Sequence, residues 1–144
     1  MMAASDRFAL VVRGVGGHGA LPHTTRDPVV AASAVVLALQ ALVSRETSPV
    51  DSAVVTVARF NTGPGAPNVI PDEVELIGTV RALTASTFQR LHVRLEQVAA
   101  GVAAAYGCSV DKVTWSAVMS LGRSPNTSGA PVVNAPMYAS CSPL

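Results

Sequence analysis

Aromatic residues are scarce in this 144-residue sequence, which has one Trp, two Tyr and three Phe, or 4% of the chain. Proteins that bind single-stranded nucleic acid stack the bases on aromatic side chains, so this composition argues against that class. An excess of one charge is also lacking, because ten basic and nine acidic residues leave a formal net charge of +1. We therefore expect no nucleic-acid partner.

Cysteine is rare as well. The two cysteines, Cys108 and Cys141, are too few for a disulfide scaffold and too far apart for a Cys-based zinc site. The most apolar stretch, residues 28–43, contains Ser33 and Gln40 and is shorter than the ~20 residues that a membrane span needs. The first residues lack the charged and apolar regions of a secretory signal. We therefore expect a soluble, cytoplasmic chain with free thiols and no membrane partner.

Apolar residues are abundant, at 49% of the chain against 13% charged, so the sequence can build a buried core. Hydrophobic periodicity and turn residues predict the elements. Strands are expected over residues 8–13, 52–60, 73–83 and 108–115. Helices are expected over 28–43, with Asp27 as N-cap and Pro28 in the first turn, and from the cap Thr84 to a C-terminal Gly107.

This β-α-β-β-α-β order predicts an α+β, ferredoxin-like fold, in which a four-stranded antiparallel sheet carries two helices on one face. Its termini would lie close together, as insertion into a larger host domain requires. We predict one domain over residues 5–116 and an irregular or disordered tail over 117–144, where Gly, Pro, Ser and Asn are frequent.

The glycine-rich segment 14–19 matches G-x-G-x-x-G and follows a predicted strand, as a dinucleotide fingerprint does. The context of that fingerprint fails here, because the next helix begins only at Pro28 and its N-terminus cannot face a pyrophosphate bound by the glycines. A dinucleotide-dependent oxidoreductase is therefore disfavoured.

Histidines 18 and 23 occupy the loop after these glycines. They lack a third neighbouring ligand, so a self-contained metal site is not expected in this chain. His18 either bonds the local backbone or, flanked by glycines, presents its imidazole to a developing oxyanion. His92, in the second helix, is interpreted as a surface or boundary residue without a chemical role.

For two further polar residues, Asn68 and Arg81, the sequence leaves two roles open. Asn68 lies in a proline-stiffened loop, 61–71, where its amide either stabilises the turn or contacts a ligand. Arg81 lies on the face of the third strand that points away from the core. It is either a solvated cation or a bidentate clamp for a carboxylate.

The segments AASDRFALVVRGVGGHGALPHTTRDPVVAASAVVLALQALVSRE and SAVVTVARFNTGPGAPNVIPDEVELIGTVRA resemble the dimerisation, or lid, domain of the zinc-dependent aminoacylase and carboxypeptidase metallopeptidases. Within that group they are most similar to the amidohydrolase branch of hippurate hydrolases, N-acyl-amino-acid amidohydrolases and auxin–amino-acid conjugate hydrolases. The combination of GGHGA-x-PH-x(3)-DP with NVIP and GTVR carries the resemblance, which extends over residues 3–115.

The resemblance implies an enzyme that cleaves N-acyl amino acids with two divalent metal ions, zinc or manganese, held in a separate catalytic domain that this chain does not resemble. It implies that His18 enters the active site of a partner subunit, and that Asn68 and Arg81 bind substrate, with His23 beside them. The chain by itself is expected to be inactive and to bind no cofactor.

Pairing is the expected activity of such a domain. The predicted helix 28–43 is apolar nearly all round, and strand 52–60 is an edge strand in this topology, so a homodimer should form through these two elements. The alternative from another functional class is a free-standing ferredoxin-like module that binds a small ligand with the loop 14–23.

Overall fold

The computed structural model describes residues 4–119, which form an antiparallel sheet with two long helices on one face. The elements in chain order are β1 (Ala4–Arg13), β2 (Gly17–His18), a 3₁₀ turn (Pro22–Thr24), α1 (Pro28–Leu39), α2 (Ala41–Ser44), β3 (Ala53–Asn61), β4 (Val69–Ile70), β5 (Glu73–Ala82), α3 (Ala85–Ala105), β6 (Ser109–Val110) and β7 (Thr114–Met119).

The sheet confirms the ferredoxin-like arrangement, with β3, β5 and β1 side by side and β6 and β7 following one another along the far side of β1. A single fourth strand over 108–115 was a wrong prediction, because two short strands occupy its place and raise the strand count to five. Between them Val113 is turned into the core, with 5% of its surface exposed, and this interrupts the pairing with β1.

The predicted tail over 117–144 lies outside the described residues, except for its first three positions, which belong to β7. The proposed domain boundary at residue 116 stays a prediction.

The core lies between the sheet and the helices. The alternation expected in the third predicted strand is confirmed, since Val74, Leu76 and Val80 of β5 are fully buried. Gly78 completes that face, and a side chain there would overlap the ring of Phe8 and the backbone of β3. The partners of this face come from β1 and the helices, and the largest are Phe8, Leu10, Val12, Val35, Leu39, Leu91 and Leu95.

The predicted helix ends are confirmed by their caps. The Asp27 side chain accepts a hydrogen bond from the Val29 amide at 2.8 Å, and Thr84 accepts one from the Thr87 amide at 3.3 Å. Gly107 has a φ of +71°, the left-handed conformation that ends a helix at low cost. The helix predicted over 28–43 is divided at Gln40, where the amide bonds to the carbonyl three residues back and α2 begins.

No helix among residues 4–119 combines the length and the apolar character that crossing a membrane would require.

His92 was interpreted as a surface or boundary residue, and the structure places it at the boundary, with 24% of its side chain exposed and its ring packed between aromatic rings. Its imidazole stacks on Trp115, with ring centroids 3.8 Å apart, and contacts Phe88 at 4.5 Å. Its Nε2 lies 3.3 Å from the Asp6 carboxylate but is not aligned for a hydrogen bond. Burial lowers the pKa of His92, and the nearby carboxylates of Asp6 and Glu96 oppose this shift only in part.

This cluster predicts a pH-dependent stability. Since the folded pKa of His92 is lowered, the unfolded chain takes up a proton more readily as the pH falls below about 6.5. The free energy of unfolding should therefore decrease from pH 7.5 to 5.5, and H92Q should lose this part of the decrease. Urea denaturation at both pH values measures it, with H23Q, at an exposed histidine, as the control. An unchanged slope in H92Q would contradict the assignment.

Candidate functional site

A two-stranded ribbon outside the main sheet joins two loops that are distant in sequence. In it β2 pairs with β4, so that His18 lies directly opposite Val69 and Gly17 opposite Ile70. The amide of Gly19 extends the ribbon by donating to the Asn68 carbonyl at 2.7 Å. The structure therefore brings His18 and Asn68 together, at the end of the sheet where β1 finishes and β5 starts.

Asp72 holds this ribbon against the sheet from the turn before β5. Its side chain accepts a hydrogen bond from the Gly16 amide at 2.9 Å, and its carbonyl accepts one from the Gly14 amide at 2.8 Å. A side chain at Gly16 would overlap the Ile70 carbonyl, and one at Gly14 would overlap the Arg26 carbonyl. The glycines thus permit close backbone contacts, and the loop leads into β2 instead of the helix that a dinucleotide site requires.

His18 is exposed, and the position of its proton follows from one hydrogen bond. Its Nδ1 accepts from the backbone amide of Ala20 at 3.1 Å. A neutral ring in this arrangement carries its proton on Nε2, so Nε2 is a hydrogen-bond donor. Nε2 has no partner within residues 4–119, and the imidazole can therefore donate to a carbonyl oxygen or an oxyanion of a bound molecule.

Asn68 is exposed in a turn whose hydrogen bond, from the Val69 amide to the Ala66 carbonyl at 3.1 Å, is made by the backbone alone. Pro67 sets the second position of this turn, as is common in type I turns. The amide group of Asn68 makes no hydrogen bond among the residues that the structure describes. This favours the ligand-contact alternative over the turn-stabilising one.

The sequence did not indicate the apolar surface around His18. Val69, its cross-strand neighbour, is 53% exposed, and Leu21 and Val15 are exposed to a similar extent. His23 lies next to them in the 3₁₀ turn and is also exposed. The β-branched pair Val69–Ile70 was the only signal for a strand here, and two residues are too few for a periodic pattern.

Arg81 is not part of this assembly. It is exposed near the other end of β5, roughly 26 Å from Glu73 at about 3.3 Å per residue. Its cross-strand neighbours are Ser5 on β1 and Val54 on β3. The sequence predicted its face correctly but gave no indication that the length of β5 separates it from His18 and Asn68.

A metal ion does not fit the residues of this site. Within residues 4–119 no three His, Cys, Asp or Glu side chains converge as ligands. Asp27 is engaged as a helix cap and Asp72 binds the Gly16 amide, so neither complements His18 and His23. The part of the site formed by residues 4–119 offers hydrogen-bond donors and apolar contacts.

Comparison with known proteins identifies similar segments in hydrolases. The family described as peptidase dimerisation domain matches residues 4–107. The chain is 54% identical over 98 residues to the IAA-amino acid hydrolase ILR1-like 4 of Arabidopsis thaliana, covering 68% of this chain and 22% of that protein. It is 40% identical over 111 residues to the N-acetylcysteine deacetylase of Bacillus subtilis (strain 168), covering 77% and 29%.

The fold is also similar to a domain of solved structures. The crystal structure of the Bacillus subtilis YXEP protein, a dinuclear metal-binding peptidase of the M20 family, matches with a TM-score of 0.60 and 32% identity. The match covers 80% of this chain and 26% of that one. The chain therefore spans less than a third of the length of these relatives.

The glycine contacts predict that the ribbon is sensitive to one methyl group. G16A should displace β2 from β4 and lower the free energy of unfolding, by roughly 1–3 kcal/mol, since the added Cβ overlaps the Ile70 carbonyl. Urea denaturation gives the energy, and the NMR contact between Gly17 and Ile70 reports the ribbon. G65A is the matched control, because nothing lies within 4 Å of a Cβ at that position. Equal effects of the two substitutions would contradict this account.

Proposed function

Since this chain belongs to the peptidase dimerisation domain family of M20 amidohydrolases, we propose that it is the lid of an enzyme that hydrolyses N-acyl amino acids. The observation that carries the proposal is the apposition of His18 and Asn68 on the β2–β4 ribbon, two exposed residues whose Nε2 and side-chain amide make no hydrogen bond to another residue of 4–119. The relatives named for IAA-amino acids and N-acetylcysteine support an N-acyl amino acid as the substrate class.

In the proposed mechanism His18 stabilises charge. The Nε2–H group donates to the oxygen of the scissile amide as it becomes an oxyanion, and the Ala20 amide keeps the ring in the required tautomer. The Asn68 amide, with donors and an acceptor, orients the substrate beside it. Two divalent ions, zinc or manganese, would belong to the catalytic domain of the parent enzyme, because residues 4–119 do not fit them.

The separation within the lid supports a role in two active sites. His18 and Asn68 lie at the end of the sheet where β5 begins, and Arg81 lies near the other end of β5, roughly 26 Å from Glu73 along the strand. One substrate of amino-acid size cannot contact both places on the same lid. We therefore assign His18 and Asn68, with His23 beside them, to the active site of a partner subunit and Arg81 to that of its own subunit.

An exposed apolar flank supports a homodimer. Among the described residues β3 pairs only with β5, so its other side has free backbone donors and acceptors. Leu37 and Val30 of α1 are 74% and 50% exposed, and Val54 of β3 is 48% exposed. A shallow depression lies between α2, which follows α1, and the first residues of β3. Two copies that join along this flank would pair the free edges of β3 and cover the exposed apolar side chains of α1.

The proposed interface predicts that a charged substitution on α1 dissociates the dimer. L37E should convert a dimer of 14.7-kDa chains into a monomer, because the substitution places a charge in the apolar contact while leaving the monomer core untouched. Light scattering after size-exclusion chromatography at micromolar concentration measures the mass. V93E on α3, at a 57% exposed valine, is the matched control and should stay dimeric. A wild-type monomer with an intact circular-dichroism spectrum would contradict the interface.

The proposed role of His18 predicts a loss of activity without a loss of stability. In a hybrid enzyme, residues 4–107 replace the corresponding segment of the Bacillus subtilis N-acetylcysteine deacetylase. H18A should lower kcat in this hybrid by roughly 100- to 1,000-fold, as the loss of one oxyanion donor does. R45A, at an exposed arginine on the loop after α2, is the control for surface substitution.

A mixing experiment distinguishes the two subunits. Hybrid H18A is combined with a hybrid whose lid is intact but whose catalytic domain is inactive. Activity should reappear, because a mixed dimer has one site with an intact His18 from the partner. Undiminished turnover by H18A alone would remove His18 from the mechanism, and no recovery on mixing would place it in its own subunit.

A further inference from the structure

The face of the sheet that the helices leave open holds two arginines side by side. On β1, Ser5 lies opposite Arg81 of β5, and Arg7 lies opposite Thr79. Directly paired residues share a face, and Phe8, the residue after Arg7, points into the core, so Arg7 points to the open face. Arg7 and Arg81 are therefore diagonal neighbours on the open face, with Cα atoms about 7–8 Å apart. Both are exposed.

Neither arginine is neutralised within residues 4–119, where the ion pairs formed by arginines belong to Arg13 and Arg94. Asp6, the acid adjacent to Arg7 in sequence, contacts His92 on the helix side of the sheet. Glu75, on the open face, is four residues further along the strands than Arg7 and Thr79. That is roughly 13 Å, beyond the Debye length of about 8 Å at physiological salt. The local field is therefore positive.

The residues directly opposite the two arginines, Ser5 and Thr79, have short hydroxyl side chains. Thr79 is half-buried, and Ser5 is 2% exposed with a hydroxyl that makes no hydrogen bond within the described residues. On β1 and β5, the residues directly opposite the two arginines are therefore short, and an anion can approach both guanidinium groups from the open face.

We infer that Arg7 and Arg81 together form an anion site for a ligand with two carboxylates, namely the amino-acid end of an N-acyl aspartate or glutamate. Guanidinium groups recognise carboxylates through paired hydrogen bonds, and two arginines on diagonal positions of neighbouring strands can each take one carboxylate of the same small ligand. Arg81 would hold the carboxylate common to all substrates, and Arg7 would select for the second one. This inference rests on the proposed function, since it names the substrate class of the same enzyme.

NMR titration of the ¹⁵N-labelled 144-residue chain at low ionic strength tests the site without any catalytic domain. The probes are N-acetyl-L-aspartate and N-acetyl-L-asparagine, which are nearly equal in size and differ by one carboxylate. We expect N-acetyl-L-aspartate to bind about threefold more tightly, the scale of one exposed ion pair. The amide shifts should be centred on residues 5–7 and 79–81.

Substitutions then assign the selectivity. R7Q should abolish the preference for the dianion while retaining weak binding of both acids, R81Q should weaken both, and R7K should keep part of the preference. R45Q is the matched control, an exposed arginine with no ion pair among the described residues, and should change nothing.

Equal affinity for the two acids, an absence of shifts at residues 5–7 and 79–81, or equal effects of R7Q and R45Q would each overturn the inference. The ¹⁵N spectrum itself reports whether R7Q is folded. If R7Q is unfolded, the test is R7K, which should show a smaller preference for N-acetyl-L-aspartate than the unsubstituted chain. These outcomes leave the His18 experiments unaffected, so failure of this site and failure of the proposed function are distinguishable.

Discussion

The hydrogen bonds that Asp72 accepts from Gly14 and Gly16 hold the candidate site in place. Residue 72 lies between β4 and β5, so its backbone is already positioned by the sheet, and both glycine amides are tied to that position. The β2–β4 ribbon then brings His18 opposite Val69 and next to Asn68. A rigid support of this kind matters, because a donor stabilises a developing oxyanion only if it is in place before the charge appears.

The difference between the two faces of the sheet explains how the domain separates its tasks. One face is closed by α1 and α3 over a core of Phe8, Leu76 and Leu95. The other is open and includes Arg7 and Arg81, while the side of β3 that does not pair with β5 among residues 4–119 is the proposed contact for a second copy. The proposed functions, a contribution to a catalytic centre and dimerisation, need distinct surfaces, and the long strand β5 keeps these surfaces apart.

Local sequence signals were sufficient for most of the fold. The caps Asp27 and Thr84 and the left-handed Gly107 are single-residue effects, and the alternation over residues 73–83 is a periodic one. These depend only on neighbouring residues, so the sequence reveals them. The break in the fourth strand at Val113 and the stacking of His92 on Trp115 depend on residues far apart in the chain, and no local pattern contains them.

The sequence by itself determined the order of the elements, the ferredoxin-like class and the residue types available for chemistry, because helix caps, turns and hydrophobic periods act over a few residues. Tertiary structure alone decided which of those residues meet. It joined His18 to Asn68 through backbone contacts that only glycine permits, and it placed Arg81 at the far end of β5 beside Arg7. The physical reason is that strand register and loop packing are set by pairing between distant segments, and such pairing has no local signature.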